Sequence, residues 1–358
     1  FEALSIIKQH NIKVHSSNYA LYGDMSHRVM QTLQNHAPDV ELYSIDESFL
    51  HLEGIRNPEE FAVNLRNIVR QHTKIPVSIG IGRTKTLSKV ANKIAKKGDG
   101  VYNIYQLGSK YINALQVTDI RDVWGIGHQY AKLLNAHDIR NAFQFIQVKD
   151  DWVKKSMTVV GLRTLHELRG IKSIAIEDTP PPKRQIICSR AFSRSVTDFH
   201  ELSEAVAFYI SRAAEKLRKQ DSITGNITVF IHTSRFKANS YSKSTNIDLS
   251  TPTAYTPTLI EYATFLLKKI YRAGLEYKKA GVIFNDISPD TAIQQNLFAE
   301  APNPKHKELM QLMDKLNKDH GANTVRIATM GARQDWKMKQ EMKSPSYTTK
   351  WNEQLNVK

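Results

Sequence analysis

The stretch Tyr43-Ser44-Ile45-Asp46-Glu47-Ser48-Phe49-Leu50-His51-Leu52-Glu53 sets two carboxylates side by side in an apolar, β-forming context. Successive strand side chains point to opposite faces, so Asp46 and Glu47 would diverge in a regular strand. Glu is one methylene longer, and at a kink both can reach one point. Two hard carboxylates there suit Mg²⁺, which usually takes one or two of them and completes its shell with water and substrate phosphates. The alternative is two acids on the wet face of a hairpin.

A second stretch, Arg83 to Lys97, holds six basic residues and no acid. Leu87, Val90, Ala91 and Ile94 fall at helical spacing, so a basic helix is expected to cover the sheet that carries the acids. Metals on one side and ammonium groups on the other make a sensible seat for a triphosphate; a solvated basic surface is the other reading. Asp122-Val123-Trp124-Gly125-Ile126-Gly127 has the form of a helix-hairpin-helix. Its amides and the following helix start would hold a DNA phosphate without reading sequence. An ordinary loop between helices is equally consistent. Gln294-Gln295-Asn296-Leu297-Phe298 offers one amide and two apolar plugs, the form of a docking peptide; the pair could also pack back on its own domain.

The elements that must position these groups follow from periodicity. Residues 18–34 form a helix with Leu21, Met25, Val29 and Leu33 on one face, after a short helix near Leu4 and a strand at Ile12 to Val14. Helix 58–73, a strand at Pro76 to Ile81, the basic helix and a strand at Val101 to Tyr105 give a βαβ-like unit. Helices continue to Gly170. Three prolines, Pro180 to Pro182, mark a semi-rigid tether. Beyond it the order strand, helix, strand, strand, helix, strand predicts one four-stranded sheet with two helices on one face. Its open face is expected to carry Arg190, Arg194, His232 and Arg235. The tail from 299 is polar, with a helix near Leu309 to Leu316, then Trp336 and a loose basic end. A length of 358 residues implies several domains. The net charge of +15 points to a polyanionic partner, most simply nucleic acid. No apolar run is long enough to span a bilayer. The single cysteine, Cys188, excludes an intramolecular disulfide and a Cys-rich zinc site, and is expected to be a small buried strand residue.

Taken together, these motifs resemble the Y-family translesion DNA polymerases, and most closely the UmuC-type branch. The further marks are Ser17-Asn18-Tyr19 with Tyr22 and Asp24-Met25-Ser26, Thr84-Lys85-Thr86-Leu87 with Ala95-Lys96-Lys97, Ile186 to Arg190, and a tail with Ser344-Pro345-Ser346-Tyr347-Thr348-Thr349. The resemblance implies an α+β multidomain right hand. Residues 1–17 would be a remnant of the fingers, 18–107 the palm, 108–172 the helical thumb, 173–185 a linker, 186–298 the little finger and 299–358 the C-terminal tail. It implies error-prone synthesis past lesions in the SOS response, by two Mg²⁺ ions. Asp46 and Glu47 would be two of three metal-binding carboxylates and Lys96 the triphosphate contact. DNA contacts are expected at Lys85, Gly125, Gly127, Arg190, Arg194 and Arg235. Gln294, Leu297 and Phe298 would bind the sliding clamp, although Gln295 stands where the family has Leu. Primer-template DNA and dNTP, a processed UmuD dimer, the RecA filament and the clamp are the implied partners, in a bacterial cytoplasm near the nucleoid.

The chain opens inside an expected helix and reads as a piece. The third carboxylate, the sugar-screening residue and the fingers Tyr/Arg pair of the family are not in it, so the piece is expected to bind DNA and polymerise poorly or not at all. A palm-type nucleotidyl cyclase shares the paired acids but needs neither a glycine hairpin nor a basic second domain. A non-catalytic damaged-DNA-binding module leaves the carboxylates beside a lysine helix unexplained.

Overall fold

The computed structural model describes residues 3–176, 182–237, 239–291 and 303–355. They divide into two compact units, Phe1–Pro180 with Met342–Lys358, and Pro181–Glu341. Unit 1 contains α1 (Leu4–Gln9), α2 (Tyr19–His36), β1 (Asp39–Leu42), β2 (Ser48–His51), α3 (Pro58–Thr73), β3 (Ile79–Ile81), α4 (Lys85–Ala95), β4 (Val101–Asn103), α5 (Ser109–Val117), α6 (His128–Ala136), α7 (Ala142–Ile146) and α8 (Asp150–Leu168). Unit 2 contains β5 (Ile186–Val196), α9 (Phe199–Arg218), β6 (Ser222–Thr233), β7 (Ser242–Thr253), α10 (Thr256–Ile270), β8 (Tyr277–Pro289) and α11 (Pro304–Asp319).

In unit 1, α2 and α3 pack through Val29, Met30, Leu33, Leu65 and Val69. β3 and β4 pair in parallel, joined by α4, which is the expected βαβ unit. α4 lies directly on the β3 backbone. A Cβ at Gly82 would sit 2.7 Å from Ser88 N, so any larger residue would push the helix away. The start of α4 is held by α8. Thr84 accepts from Leu87 N at 3.2 Å and donates to Glu167 O at 2.7 Å. The fully buried Glu167 carboxylate accepts from Thr86 N, Ser173 N and Ile174 N at 2.8–3.1 Å. Three amides satisfy a charge that would be costly to bury alone. α8 itself breaks at Thr158, whose φ of 61° is strained for a β-branched residue.

Two expectations for unit 1 are corrected. Ile12 to Val14 is not a strand; the chain there makes one isolated bridge, between Ser16 and Lys343 of the tail. The 43–53 stretch is not one strand carrying both acids. β1 and β2 form an antiparallel hairpin, Asp39 opposite His51 and Leu42 opposite Ser48, and residues 43–47 are its tip. Tyr43 N and Ser44 N both donate to Glu47 O, closing a turn that opens the pleat at the acids.

In unit 2 the strands run in the order β5-β8-β6-β7, all antiparallel. α9 and α10 cover one face through Leu202, Val206, Ile210, Leu259, Ala263 and Leu267, packed on Val229, Ile231, Val282 and Phe284. Cys188 is buried here, as expected. The open face carries Asn226, Thr228, Phe230 and His232 of β6, and a hydrogen-bonded row runs from the residue before β5 across β8 and β6 to β7. Gln185 donates to Asn285 (2.6 Å), Asn285 to Asn226 (3.0 Å) and Asn226 to Asp248 (2.7 Å). Of the four basic groups expected on this face, only His232 lies on it. Arg190 sits opposite the buried Ala280, in phase with the buried Cys188 and Phe192, so it projects on the helix side of an edge strand. Arg194 pairs with Glu201 of α9 at 2.5 Å, on the same side. Arg235 lies in the β6–β7 turn, stacked 5.0 Å over the exposed Phe236 ring.

Among its described residues the tail is not loose. Trp336, 1% exposed, plugs the helix side of unit 2 against Phe192, Phe208 and Tyr209, with ring centroids 5.6–6.1 Å away. Its carbonyl accepts from Ser193 N at 3.0 Å. The chain then returns to unit 1. There Asn18, fully buried, caps α2 by accepting from Leu21 N and donates to Ser344 O at 2.9 Å. Near these tail residues the Asp24 carboxylate pairs with Arg28 at 2.8 Å.

Two stability changes follow. Trp336→Ala should lower the unfolding free energy by about 3–5 kcal/mol, because it empties a large volume in a closed core. Urea unfolding of the full chain checks this, and a change under about 1 kcal/mol would mean that the tail is not part of the core. Glu167→Ala should cost about 3 kcal/mol in the same assay, since it orphans three amides, one buried and two half-buried, that now bond to a charge.

Candidate active site

α4 presents lysines at four-residue steps, Lys85, Lys89 and Lys93, which places them along one face. Each meets a carboxylate from a different segment. Lys85 pairs with Glu41 of β1 at 2.5 Å, both side chains nearly out of water at 7% and 10% exposed. Lys89 pairs with Glu47 at the hairpin tip, and Lys93 with Asp122 just before the glycine turn. Aromatic rings lie beside the first two cations. The Lys85 ammonium is 5.1 Å from the Phe49 centroid and that of Lys89 is 5.6 Å from Tyr43. Trp124 Nε1 donates to the Tyr43 hydroxyl at 3.1 Å, and its ring stands edge-on to Tyr43 at 5.6 Å. The acidic hairpin, the basic helix and the glycine turn are therefore one packed assembly.

At the tip, Ser44 Oγ donates to Asp46 Oδ1 at 2.7 Å and Ser26 of α2 donates to Ile45 O. These bonds hold the loop that presents Asp46 to solvent. Asp46, Glu47, Lys89 and Lys96 line one cleft of about 1870 Å³, with Tyr19 and Tyr22 of α2 also on its wall. Lys96, just past α4, is exposed, and among the described residues it makes no ion pair. Among the described residues no group of three or more His, Cys, Asp or Glu is arranged to hold a metal. Asp46 and Glu47 do suit a hard divalent cation by donor chemistry, and Glu47 already holds an ammonium.

The remaining expected site residues are sorted by the fold. Lys85 is removed from the DNA contacts: it is a buried strut under the hairpin, and its charge is spent on Glu41. The hairpin motif is a short helical turn at Ile120–Asp122, the glycine turn and α6. Gly125 has φ of +92°, and a Cβ there would lie 2.7 Å from Thr164 Oγ1, so it is required by conformation and by space. Gly127 has ordinary φ and open space around its Cα at the start of α6, leaving room for a ligand to approach the helix amides. Asp119 beside this turn is held down to about 2 by hydrogen bonds from Arg121. Residues 294–298 lie outside the described residues. The Lys89–Glu47 and Lys93–Asp122 pairs went unread in the sequence, although the spacing of the lysines was visible there.

Among the described residues no helix is long and apolar enough to cross a membrane. The impB/mucB/samB family model matches residues 1–93, the C-terminal domain model of that family matches 183–297, and a domain of unknown function, DUF4113, matches 307–357. The chain is 41% identical to the UmuC protein of Salmonella typhimurium over 96% of its own length and 83% of that protein. It is 35% identical to the MucB protein of Escherichia coli, over 98% and 85%. Among solved structures, a Y-family DNA polymerase chimera superposes with a TM-score of 0.58 at 21% identity, over 76% of this chain and 78% of the other, which carries the fold. The chain belongs to the impB/mucB/samB family and is a UmuC-type Y-family DNA polymerase, an enzyme of error-prone translesion synthesis in the SOS response.

Proposed function

We propose that nucleotidyl transfer takes place in the cleft at the hairpin tip, with Asp46 and Glu47 as metal-binding carboxylates and Lys96 as the triphosphate contact. The observation that carries this reading is the meeting of opposite charges over one cleft: two acids at the hairpin tip, and Lys89 and Lys96 from the helix that covers it. Asp46 and Glu47 would supply two of the carboxylates for two Mg²⁺ ions, with water and substrate phosphates filling other positions. When bound, such ions neutralise triphosphate charge and activate the attacking hydroxyl. Ser44 orients Asp46, and Lys89 holds Glu47 where a cation is wanted. Lys96, which makes no ion pair among the described residues, offers its ammonium to the triphosphate. The open amides at Gly127 suit a primer-template phosphate, and His232 on the open face of unit 2 and Arg235 in its β6–β7 turn suit further contacts.

In this reading 18–107 is palm, 108–172 thumb and 186–298 little finger, with 1–17 from the fingers, 173–185 a linker and 299–358 the tail. The proposed partners are primer-template and dNTP, a processed UmuD dimer, the RecA filament, and the sliding clamp through Gln294, Leu297 and Phe298. The proposed compartment is the bacterial cytoplasm at the nucleoid.

In a protein extended to the full length of its relatives, Asp46→Ala should reduce Mg²⁺-dependent dNTP binding and primer extension by about two orders of magnitude or more, because removing a ligand takes away several kcal/mol of charge stabilisation. Primer-template affinity, read by fluorescence anisotropy, should stay within about twofold. Undiminished Mg²⁺-dependent dNTP binding by that variant would remove Asp46 from the site. Lys96→Ala should raise KM for dNTP with little change in DNA affinity, since a phosphate contact made in ground and transition states alike appears mainly in KM. Weaker DNA binding at unchanged KM would move Lys96 to the DNA contacts.

A further inference from the structure

The helix side of unit 2 gathers positive charge where the tail crosses α9. Arg190 of β5 and Arg212 and Lys216 of α9 all act on the buried Cys188 thiol; burial pushes the thiol up and the three cations pull it back. Next to them the Lys337 ammonium stands 4.1 Å over the Phe208 ring, and the Arg212 guanidinium is 5.8 Å from the same ring. Burial holds the Lys337 amine below its usual range, and Arg212 and the exposed Arg326 add to the effect. The carboxylate within this group is Glu215, which is shared between Arg212 at 2.8 Å and Lys219 at 2.9 Å. Among the described residues Arg190, Lys216, Arg326 and Lys337 make no ion pair. Glu204 and His200 lie along the same helix toward its start, paired loosely with each other at 3.6 Å. Like charges held together without counter-ions repel, and they concentrate polyanions at the surface they share.

We propose that this helix-side patch grips a nucleic-acid phosphate backbone, at a place distinct from the open face of the sheet. The two surfaces lie on opposite sides of one sheet, so one short stretch of nucleic acid cannot serve both. The chemistry favours phosphates over an acidic protein. Protein hot spots need apolar or aromatic surface left to bury. Here the Phe208 ring is already covered by two cations, and Trp336 is in the core. Single apolar side chains, Val325 and Met338, are exposed beside the patch, but its cations are arginine and lysine, the groups that contact phosphates without reading bases. Two of the five cations, Arg326 and Lys337, come from the segment matched by the domain of unknown function, so phosphate binding becomes a role for that segment. This inference does not depend on the assignment of Asp46, Glu47 or Lys96.

The test is the salt dependence of binding by the full chain, measured by anisotropy with a labelled single strand and with a blunt duplex. Lys216→Glu with Arg326→Glu reverses two exposed, unpaired charges and should leave the melting temperature unchanged. Every phosphate that the variant no longer neutralises should flatten the log–log salt slope by about 0.7 on a single strand or about 0.9 on a duplex. A flatter slope on one substrate only identifies which form of nucleic acid the patch holds. Lys8→Glu with Lys13→Glu, both exposed in unit 1, makes the same change in total charge elsewhere, and its slope should match the unaltered chain. Equal flattening in both double variants would reduce the effect to overall charge and overturn the proposal. So would unchanged slopes on both substrates, or weakened capture of polyglutamate with DNA binding intact, which would give the patch to an acidic protein.

Discussion

The pairing of the α4 lysines with carboxylates from three separate segments is the constraint on which the candidate site rests. Lys85 and Glu41 are nearly out of water, so neither charge is tolerable without the other. Breaking such a pair by removing one partner is strongly destabilising, because it leaves a buried charge uncompensated. The geometry of this pair fixes how far the hairpin stands from the helix. Lys89 then meets Glu47 one turn further on, where solvent begins, and Lys93 meets Asp122 beyond it. The same ladder is thus a strut at one end and an open electrostatic site in the middle.

That arrangement also links the acids to the glycine turn. Trp124 opens the turn, and its indole reaches the Tyr43 hydroxyl next to Lys89. Trp124 and Tyr43 thus make the contact between the turn and the hairpin tip. The base of α4 is tied to α8 through Glu167, whose carboxylate spans Thr86 and the 173–174 backbone.

The C-terminal segment has the clearest structural role that composition hid. It is polar enough to read as a loose end, yet one indole closes the core of unit 2 and one buried asparagine receives its last residues in unit 1. A single large aromatic residue contributes more burial than several small ones, so average polarity is a poor guide to whether a segment is folded.

Much was legible in the chain itself. Helix periodicity gave α2, α3 and the basic α4, the strand-helix order of 185–289 gave a four-stranded sheet with two helices on one face, and the linked motifs gave the family. Local chemistry decides these features, because they depend on spacing along the chain. Sequence could not say that Asp46 and Glu47 sit at a turn, that Lys85 is spent on Glu41, or that Arg190 and Arg194 lie on the helix side of their strand. The first depends on where β1 finds its partner, and the second on a contact across 44 residues of separation. The third depends on strand phase, where a shift of one residue carries every side chain to the other face. Which charges are free to meet a ligand is set by which ones the fold has already paired, and only the tertiary structure decides that.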